Sequence, residues 1–296
     1  MPPLTVVVVH WNQPGRCAAT LDAFRASEVP VRFVVVDNGS APAAIGALRG
    51  AVADRDDVEL LELATNAGFG PGANAGLRHW LDTAAGEWVA LAPHDALPEP
   101  ACVGRVLAEV ERRPTAGLAC ADVGDGLMPV VDPYFGGMSV PAPAGDGWQR
   151  AGYPHGTLLF ARRACLAEIG LFDERYFAYC EEADLGERAR RAGWEVGIVR
   201  GAEVRNPHLG GAADVVDYLM HRNTLLLVRD HFGRYHATIR FLIAVLHLAI
   251  GTAVPSKRPW LFAPAARVRA LADYARGRFG PPPASLVRAA ITPDPV

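Results

Sequence analysis

Several features of common binding and stabilising sites are scarce in this chain of 296 residues. Lys257 is the only lysine, the formal net charge is −3, and no run of basic residues is present. This composition gives no electrostatic case for a nucleic-acid partner, so we expect none. The five cysteines are scattered without a CxxC spacing, which argues against a disulfide framework and a structural zinc site and favours a reducing cytoplasm.

Long apolar runs are also scarce. The chain runs from Met1 almost directly into Thr5–Val9 without a cationic region, so we expect no signal peptide. The longest apolar stretch, Phe241–Val254, is interrupted by His247 and Gly251. At about 1.5 Å per residue, a helix of this length is shorter than the ~30 Å hydrocarbon core of a bilayer. The stretch therefore predicts a buried or membrane-surface helix.

The first half of the chain alternates apolar, β-branched runs with helix-like segments. The predicted strands are Thr5–Val9, Phe33–Val36, Val58–Leu63 and Trp88–Leu91. Helices are predicted at Pro14–Ser27 and at about Pro71–Thr83, each between two strands. This alternation predicts an α/β fold with βαβ units, right-handed crossovers and a parallel sheet of the nucleotide-binding type.

The second half has a different texture. Residues 122–153 are rich in glycine and proline, with little periodicity, and predict a long functional loop or lid. Helices are predicted at Arg162–Ile169, Glu181–Ala192 and Asp214–His231, with a short strand at Glu195–Val199. The last sixty or so residues predict further helix before a proline-rich tail.

Two polar segments follow predicted strands, at the sheet edge where open α/β folds bind ligands. Asp37-Asn38-Gly39-Ser40 follows the second strand, and the Asp37 carboxylate there can accept hydrogen bonds from a pyrimidine base or a ribose. The alternative is a plain turn, since Asn-Gly is common in turns. Asn66–Gly76, with Gly68 and Asn74 inside it, follows the third strand. Its glycines allow the backbone to approach a pyrophosphate at a helix N-terminus.

Further candidates remain ambiguous when each is taken alone. Pro93-His94-Asp95 follows the fourth strand and is either a simple turn or a pair of ligands for a divalent cation on a diphosphate. His208 is either a metal ligand or an ordinary loop histidine, and Arg222 either contacts a phosphate or faces solvent.

Three acids, Glu181, Glu182 and Asp184, begin a predicted helix. Negative side chains stabilise a helix N-terminus, which is one explanation for them. The other is a general base, because surrounding aromatic residues suggest partial burial and therefore a raised pKa. Arg188 is spaced for a structural pair with Asp184.

Together these segments resemble the family-2 glycosyltransferases, particularly the rhamnosyltransferase-like branch, over residues 4–232 in consistent order. Three motifs carry the resemblance: Asp37–Ser40, Asn66–Gly76 and Gly170–Leu185. It implies a fold of the GT-A type, which is a Rossmann-like, mostly parallel sheet flanked by helices, here with a helical C-terminal extension. The implied organisation is a donor-binding half at residues 1–115, an acceptor-binding and catalytic half at 116–235, and a helical extension with a proline-rich tail at 236–296.

The implied activity is inverting transfer of a sugar from a dTDP- or UDP-sugar to an acceptor hydroxyl in polysaccharide or secondary-metabolite biosynthesis. The acceptor is a glycan, a lipid-linked molecule or a natural product. The implied location is cytoplasmic, and peripheral contact with the inner face of the membrane and a homodimer are left open. The alternative function is a non-catalytic sugar-nucleotide-binding protein derived from such an enzyme.

The resemblance also implies roles for single residues. Glu182 is the implied general base, with Glu181 and Asp184 in the same cluster and Arg222 as a further site residue. The implied donor-binding residues are Asp37, Asn38, Asn66, Gly68 and Asn74. The implied ligands of Mn²⁺ or Mg²⁺ are Asp95 and His208, with His94 as a further candidate. Two positions depart from the family pattern, because His94-Asp95 replaces an Asn-Pro-Asp or Asp-x-Asp turn and Glu182 replaces a more usual aspartate.

Overall fold

The computed structural model describes residues 3–206 and 212–288. The strands are, in chain order, β1 (Leu4–His10), β2 (Val31–Asp37), β3 (Val58–Glu62), β4 (Trp88–Pro93), β5 (Leu97–Pro98), β6 (Ala116–Asp122), β7 (Leu127–Asp132), β8 (Gly136–Pro141), β9 (Gly147–Arg150), β10 (Leu159–Arg162) and β11 (Glu195–Arg205). The helices are α1 (Pro14–Arg25), α2 (Pro42–Val52), α3 (Phe69–Thr83), α4 (Cys102–Glu111), α5 (Arg163–Ile169), α6 (Glu181–Arg191), α7 (Ala213–Ala253), α8 (Pro264–Ala275) and α9 (Ala284–Arg288).

The chain divides into two compact units. Within the described residues, the first contains residues 3–130, 139–173 and 182–206, and the second contains residues 131–138, 174–181 and 212–288.

One mixed sheet forms the centre of the first unit. Its strands run in the order β3-β2-β1-β4-β10-β6-β11-β5, with β9 paired to β11. The first four in that order are parallel, and their register aligns Val9 with both Val36 and Pro93, so their carboxyl ends meet at one edge. β10 runs antiparallel between β4 and β6. The predicted α/β fold, a mostly parallel sheet flanked by helices, is confirmed.

Helices cover both faces of this sheet. On one face Val8 packs in a cluster with Leu21 of α1 and Val106 of α4. On the other face Val7 packs in a cluster with Trp80 of α3. Because successive residues of a strand point to opposite faces, a strand covered on both sides needs an unbroken apolar sequence. This requirement explains the valine runs of β1 and β2.

Residues 122–153, predicted as an irregular loop, contain three strands instead. β7 and β8 pair with each other, and β9 joins the main sheet. Aspartates form turns beside them: the Asp125 carboxylate accepts from the Leu127 N–H at 2.8 Å, and the Asp132 carboxylate accepts from the Tyr134 N–H at 2.7 Å. Strands of four to six residues separated by such turns are too short to show a clear period in the sequence.

The second unit is built around α7, which has 41 residues and one break, at Gly233 (φ 88°, ψ 174°). The sequence predicted an end at His231, and the helix instead resumes after the glycine, which tolerates positive φ. The predicted helix at Phe241–Val254 is therefore the last part of α7. Its Ala244 packs in a small core with Leu271 of α8.

Candidate active site

A buried histidine–aspartate pair lies at the carboxyl ends of β1 and β2. His10 Nδ1 is 2.8 Å from Asp37 Oδ1, and His10 Nε2 accepts from the Gln13 backbone N–H at 3.0 Å. Nδ1 is therefore the donor to Asp37. Burial lowers the pKa of His10 in spite of the opposing effect of Asp37, so the imidazole is neutral at pH 7.

The second oxygen of Asp37 accepts from the Ser40 backbone N–H at 3.1 Å. Both carboxylate oxygens thus fix the turn after β2, and contact of Asp37 with a nucleotide base stays a prediction. Sequence reasoning missed His10. The available signal was a polar residue at the end of a buried strand, on the same sheet edge as the other candidates.

Asn38 holds the glycine-rich segment in place. Its Nδ2 donates to the Gly68 carbonyl at 2.9 Å and to Asn66 Oδ1 at 3.2 Å, and its Oδ1 accepts a backbone N–H of the same loop at 3.0 Å. Asn66 Oδ1 also accepts from the Gly68 N–H at 2.9 Å. Gly39 has φ 68°, and a Cβ there would overlap the backbone before Asn66. Three predicted donor-binding residues are therefore in direct contact.

Asn74 joins two of the sequence motifs. It is buried in α3, where its Nδ2 donates to the Phe172 carbonyl at 2.9 Å and its Oδ1 accepts from the Phe172 N–H at 3.0 Å. These bonds connect the Asn66–Gly76 segment to the Gly170–Leu185 segment. Direct contact of Asn74 with a donor stays a prediction.

The turn after β4 is tied to the end of β1. The His94 N–H donates to the Val9 carbonyl at 3.1 Å, and His94 Nδ1 is 3.3 Å from the same oxygen. Because a carbonyl can only accept, a neutral His94 has its lone pair on Nε2, the tautomer usual for a metal-binding histidine. Its ring meets His10 edge-on, with 5.6 Å between centroids, and Asp95 follows it as a buried carboxylate. His10 therefore connects Asp37 to this turn.

This turn can hold a divalent cation together with a substrate. Within residues 3–206 and 212–288, no group of three or more His, Cys, Asp or Glu side chains is arranged to hold a metal ion. The described side chains therefore do not form a complete metal cage by themselves. One carboxylate and one imidazole do fit a Mg²⁺ or Mn²⁺ ion whose remaining ligands are diphosphate oxygens and water. His208, predicted as a further ligand, lies outside the described residues.

The carboxyl group of Glu182 has a raised pKa. The side chain is partly buried near the start of α6, and desolvation raises its pKa from 4.5 to about 7. The backbone of Gly156 lies against it so closely that a Cβ on Gly156 would overlap Glu182 Oε1. A carboxyl group with a pKa near 7 is a stronger base than an ordinary glutamate and is still substantially ionised at neutral pH.

Asp184 has a structural partner. Its Oδ2 accepts from Arg188 Nε at 2.9 Å, which confirms the predicted pair. Arg188 also donates to the carbonyls of Ile169 at 2.6 Å and Leu171 at 2.8 Å, so the pair ties α6 to the chain that follows α5. Glu181 is buried and belongs to the second unit.

Arg222 is buried inside the second unit, which excludes the solvent-facing alternative, and its contact with a phosphate stays a prediction. Its guanidinium donates to the Tyr218 hydroxyl at 3.1 Å, the Asn223 Oδ1 at 3.0 Å and the Gly280 carbonyl at 2.8 Å. Burial lowers its pKa. The chain around Gly280, about sixty residues away in sequence, supplies one of these acceptors, and local periodicity cannot reveal such a distant contact.

Known proteins share the sequence pattern of this chain. A family model described as glycosyltransferase like family 2 matches residues 2–213. A relative from Mycobacterium tuberculosis (strain ATCC 25618 / H37Rv), described as N-acetylglucosaminyl-diphospho-decaprenol L-rhamnosyltransferase, is 30% identical over 287 residues. The alignment covers 81% of this chain and 89% of the relative.

Two solved glycosyltransferase structures share the fold. A mannosyltransferase from Pyrobaculum calidifontis, in complex with GDP-Man and Mn²⁺, has a TM-score of 0.59 at 20% identity and covers 97% of this chain and 79% of its own. Residues 1–349 of S. aureus TarS, in complex with UDP-GlcNAc, have a TM-score of 0.57 at 15% identity, with coverage of 93% and 81%. At these identities the likeness shows the architecture, which is that of the GT-A enzymes.

Proposed function

Since the chain belongs to glycosyltransferase family 2 and is a glycosyltransferase, we propose that it transfers a rhamnosyl unit from dTDP-rhamnose to an N-acetylglucosaminyl-diphospho-polyprenol. The name of the mycobacterial relative supports the sugar and the acceptor. A UDP-sugar is the second candidate donor. The alternative function, a non-catalytic sugar-nucleotide-binding protein, is excluded because the family and the relative are enzymes.

The observation that carries the proposed chemistry is the raised pKa of Glu182. Its carboxylate removes the proton from the acceptor hydroxyl as the hydroxyl oxygen forms a bond to the anomeric carbon of the donor. The bond from that carbon to the diphosphate breaks in the same step, and its electron pair leaves with the nucleoside diphosphate. A single displacement from the face opposite the leaving group inverts the anomeric configuration.

The sheet edge supplies the donor side of this mechanism. The Asp37–Ser40 turn and the loop held by Asn38 offer backbone and side-chain polar groups to the nucleotide. Asp95 and His94 would hold Mn²⁺ or Mg²⁺, which when bound neutralises charge on the departing diphosphate. The role of His208 as a further metal ligand stays a prediction from the resemblance.

The location and assembly of the enzyme are part of the same proposal. For a lipid-linked acceptor we propose a location at the inner face of a membrane, with the first unit in the cytoplasm. The homodimer left open by the sequence stays a prediction.

Product analysis tests the proposal. The purified chain is incubated with dTDP-rhamnose or a UDP-sugar and a short-chain N-acetylglucosaminyl-diphospho-polyprenol, and release of nucleotide and formation of glycolipid are followed. We expect turnover with dTDP-rhamnose and an anomeric configuration, read by NMR, opposite to that of the donor. Turnover confined to another donor would refute the assigned sugar, and a retained configuration would refute the single displacement.

A further inference from the structure

The charges of this chain are unevenly distributed. Residues 231–296 contain nine arginine and lysine residues and two aspartates, whereas residues 1–230 contain 20 basic and 30 acidic residues. The net charge of −3 is therefore the sum of a positive charge on residues 231–296 and a larger negative charge on residues 1–230. Opposite charge attracts residues 231–296 to an anionic surface.

An exposed apolar face accompanies that charge on α7, after the break at Gly233. The apolar residues that are exposed on this part of the helix are Tyr235, Leu242, Val245, Leu246, Ala249 and Ala253. At about 100° per residue, they fall within an arc of about 100° on the helix surface. The exposed fraction reaches 69% for Tyr235 and 61% for Leu242. Contiguous apolar surface of this kind marks a site of interaction.

The segment after α7 extends the same surface. Pro255–Lys257 forms a short 3₁₀ turn, and Trp260, beyond it, is 81% exposed. The turn is fixed to the helix, since Arg258 Nε donates to the Gly251 carbonyl at 2.8 Å and its guanidinium lies 5.3 Å from the centre of the Phe262 ring. An ordered segment therefore presents a tryptophan beside Lys257. Tryptophan and basic side chains next to an apolar face are typical of helices that lie in a membrane interface.

The packing of α7 favours a helix that lies on a bilayer over one that crosses it. By length and composition α7 is the one helix of the described residues that could span a membrane. Yet its opposite face packs against α8, where Phe241 and Ala244 meet a core containing Leu271. The part after Gly233 also carries Arg240, whose guanidinium lies 5.8 Å from the Phe135 ring centre. Lipid can therefore cover one side of this helix and not its whole circumference.

We propose that the exposed face of α7 from Tyr235 to Ala253, together with Val254–Trp260, is a docking surface for an anionic lipid bilayer. The helix lies parallel to the bilayer, with its apolar side chains at the acyl boundary and Lys257 at the headgroups. An anionic bilayer is favoured over a second copy of the chain because the exposed basic residues Lys257 and Arg258 lie at the end of this apolar face. The proposal goes beyond the proposed reaction and does not depend on it.

Binding to vesicles without donor or acceptor tests the surface. The full chain is floated with vesicles of phosphatidylcholine alone or with about 30% phosphatidylglycerol, at low and high salt. We expect binding to the anionic vesicles to be at least about tenfold stronger and to weaken with salt. Leu242→Ser/Leu246→Ser and Lys257→Glu/Trp260→Ala should each weaken it by about tenfold or more, because each removes side chains that enter the interface.

The control pairs an exposed charge with an exposed apolar residue of the first unit, Arg112→Glu/Leu127→Ser, and should bind as the wild type does. Circular dichroism confirms that each variant is folded. Equal binding to both kinds of vesicle, or no effect of the face variants, would overturn the proposal. A dimer in sedimentation that Leu242→Ser/Leu246→Ser dissociates, without vesicle binding, would assign the face to a second copy. If the protein can be extracted from membranes only with detergent, α7 spans the bilayer.

Discussion

Replacing Glu182 with glutamine separates the charge of this side chain from its shape. Glutamine has nearly the same volume and takes no proton from a hydroxyl, so we expect Glu182→Gln to lower kcat by roughly 10²–10⁴-fold. The wild-type kcat/KM should rise with pH through about 7, the pKa of Glu182, because the base acts when deprotonated. The variant should lose that dependence.

The same change should stabilise the fold at alkaline pH. The pKa of Glu182 is raised from 4.5 to about 7, so the folded protein holds this proton more tightly than the unfolded chain does. The resulting stabilisation is complete below pH 4.5 and is lost as pH rises through about 7. Each tenfold change in proton affinity is worth about 1.4 kcal/mol, so the loss is on the order of 3 kcal/mol at most. Glutamine stays neutral and avoids this loss.

Urea unfolding near pH 5 and near pH 8.5, together with the transfer assay, measures both effects. We expect the free energy of unfolding of Glu182→Gln to exceed that of the wild type near pH 8.5 and to approach it near pH 5. The matched control is Glu111→Gln, at the exposed end of α4, which should change neither quantity. Equal stability at both pH values would refute the desolvation argument, and near-normal turnover would move the base to Glu181 or Asp184.

Three further perturbations test neighbouring parts of the structure. Gly156→Ala should lower kcat by about 10–100-fold with little change in unfolding free energy, because a Cβ there displaces the carboxylate end of Glu182. When it is combined with Glu182→Gln, turnover should fall no further, and additive losses of kcat would contradict this explanation. Asp95→Ala should abolish Mn²⁺ binding, measured calorimetrically in the presence of a nucleoside diphosphate, and EDTA should stop turnover by the wild type. If the Asp95→Ala variant and the EDTA-treated wild type both stay active, no metal is needed. Asn223→Ala should cost about 1–3 kcal/mol in urea unfolding, because its Nδ2 lies within 2.9 Å of three carbonyl oxygens of the Tyr176–Tyr179 turn; an unchanged unfolding midpoint would contradict that role.

The first four strands could be predicted to within two residues at each end. For β1, β2 and β4 the reason is that a strand buried on both faces needs a continuous apolar run. The helix α2 and the strand β6 were not predicted. The residues of Ala116–Asp122 are all buried, and apart from Leu118 their side chains are small. Alanine and glycine do not distinguish a buried strand from other segments in the sequence. The burial of such a strand depends on its neighbours in the sheet.

The residues of the Gly170–Leu185 motif could be recognised in the sequence. The backbone conformation of this segment could not be predicted. Phe177, Tyr179 and Cys180 have φ values of 66°, 68° and 72°, a region that such side chains rarely adopt. Within the second unit Asn223 donates to the carbonyls of this turn, which helps to hold a conformation that costs energy. The stabilising residue lies more than forty positions away, so the local sequence carries no sign of the turn.

The choice among the acids of this motif follows from helix geometry. At about 100° per residue, positions 184 and 188 lie on the same side of α6, whereas positions 182 and 184 point about 160° apart. Arg188 therefore reaches Asp184, at 2.9 Å, and holds it as a structural ion pair. Glu182 points elsewhere, to the backbone of Gly156, where desolvation dominates its pKa and the opposing influence is its own backbone N–H. The ion pair with Arg188 gives Asp184 a structural role. Glu182, on the other side of the helix, is therefore the acid that we propose as the base.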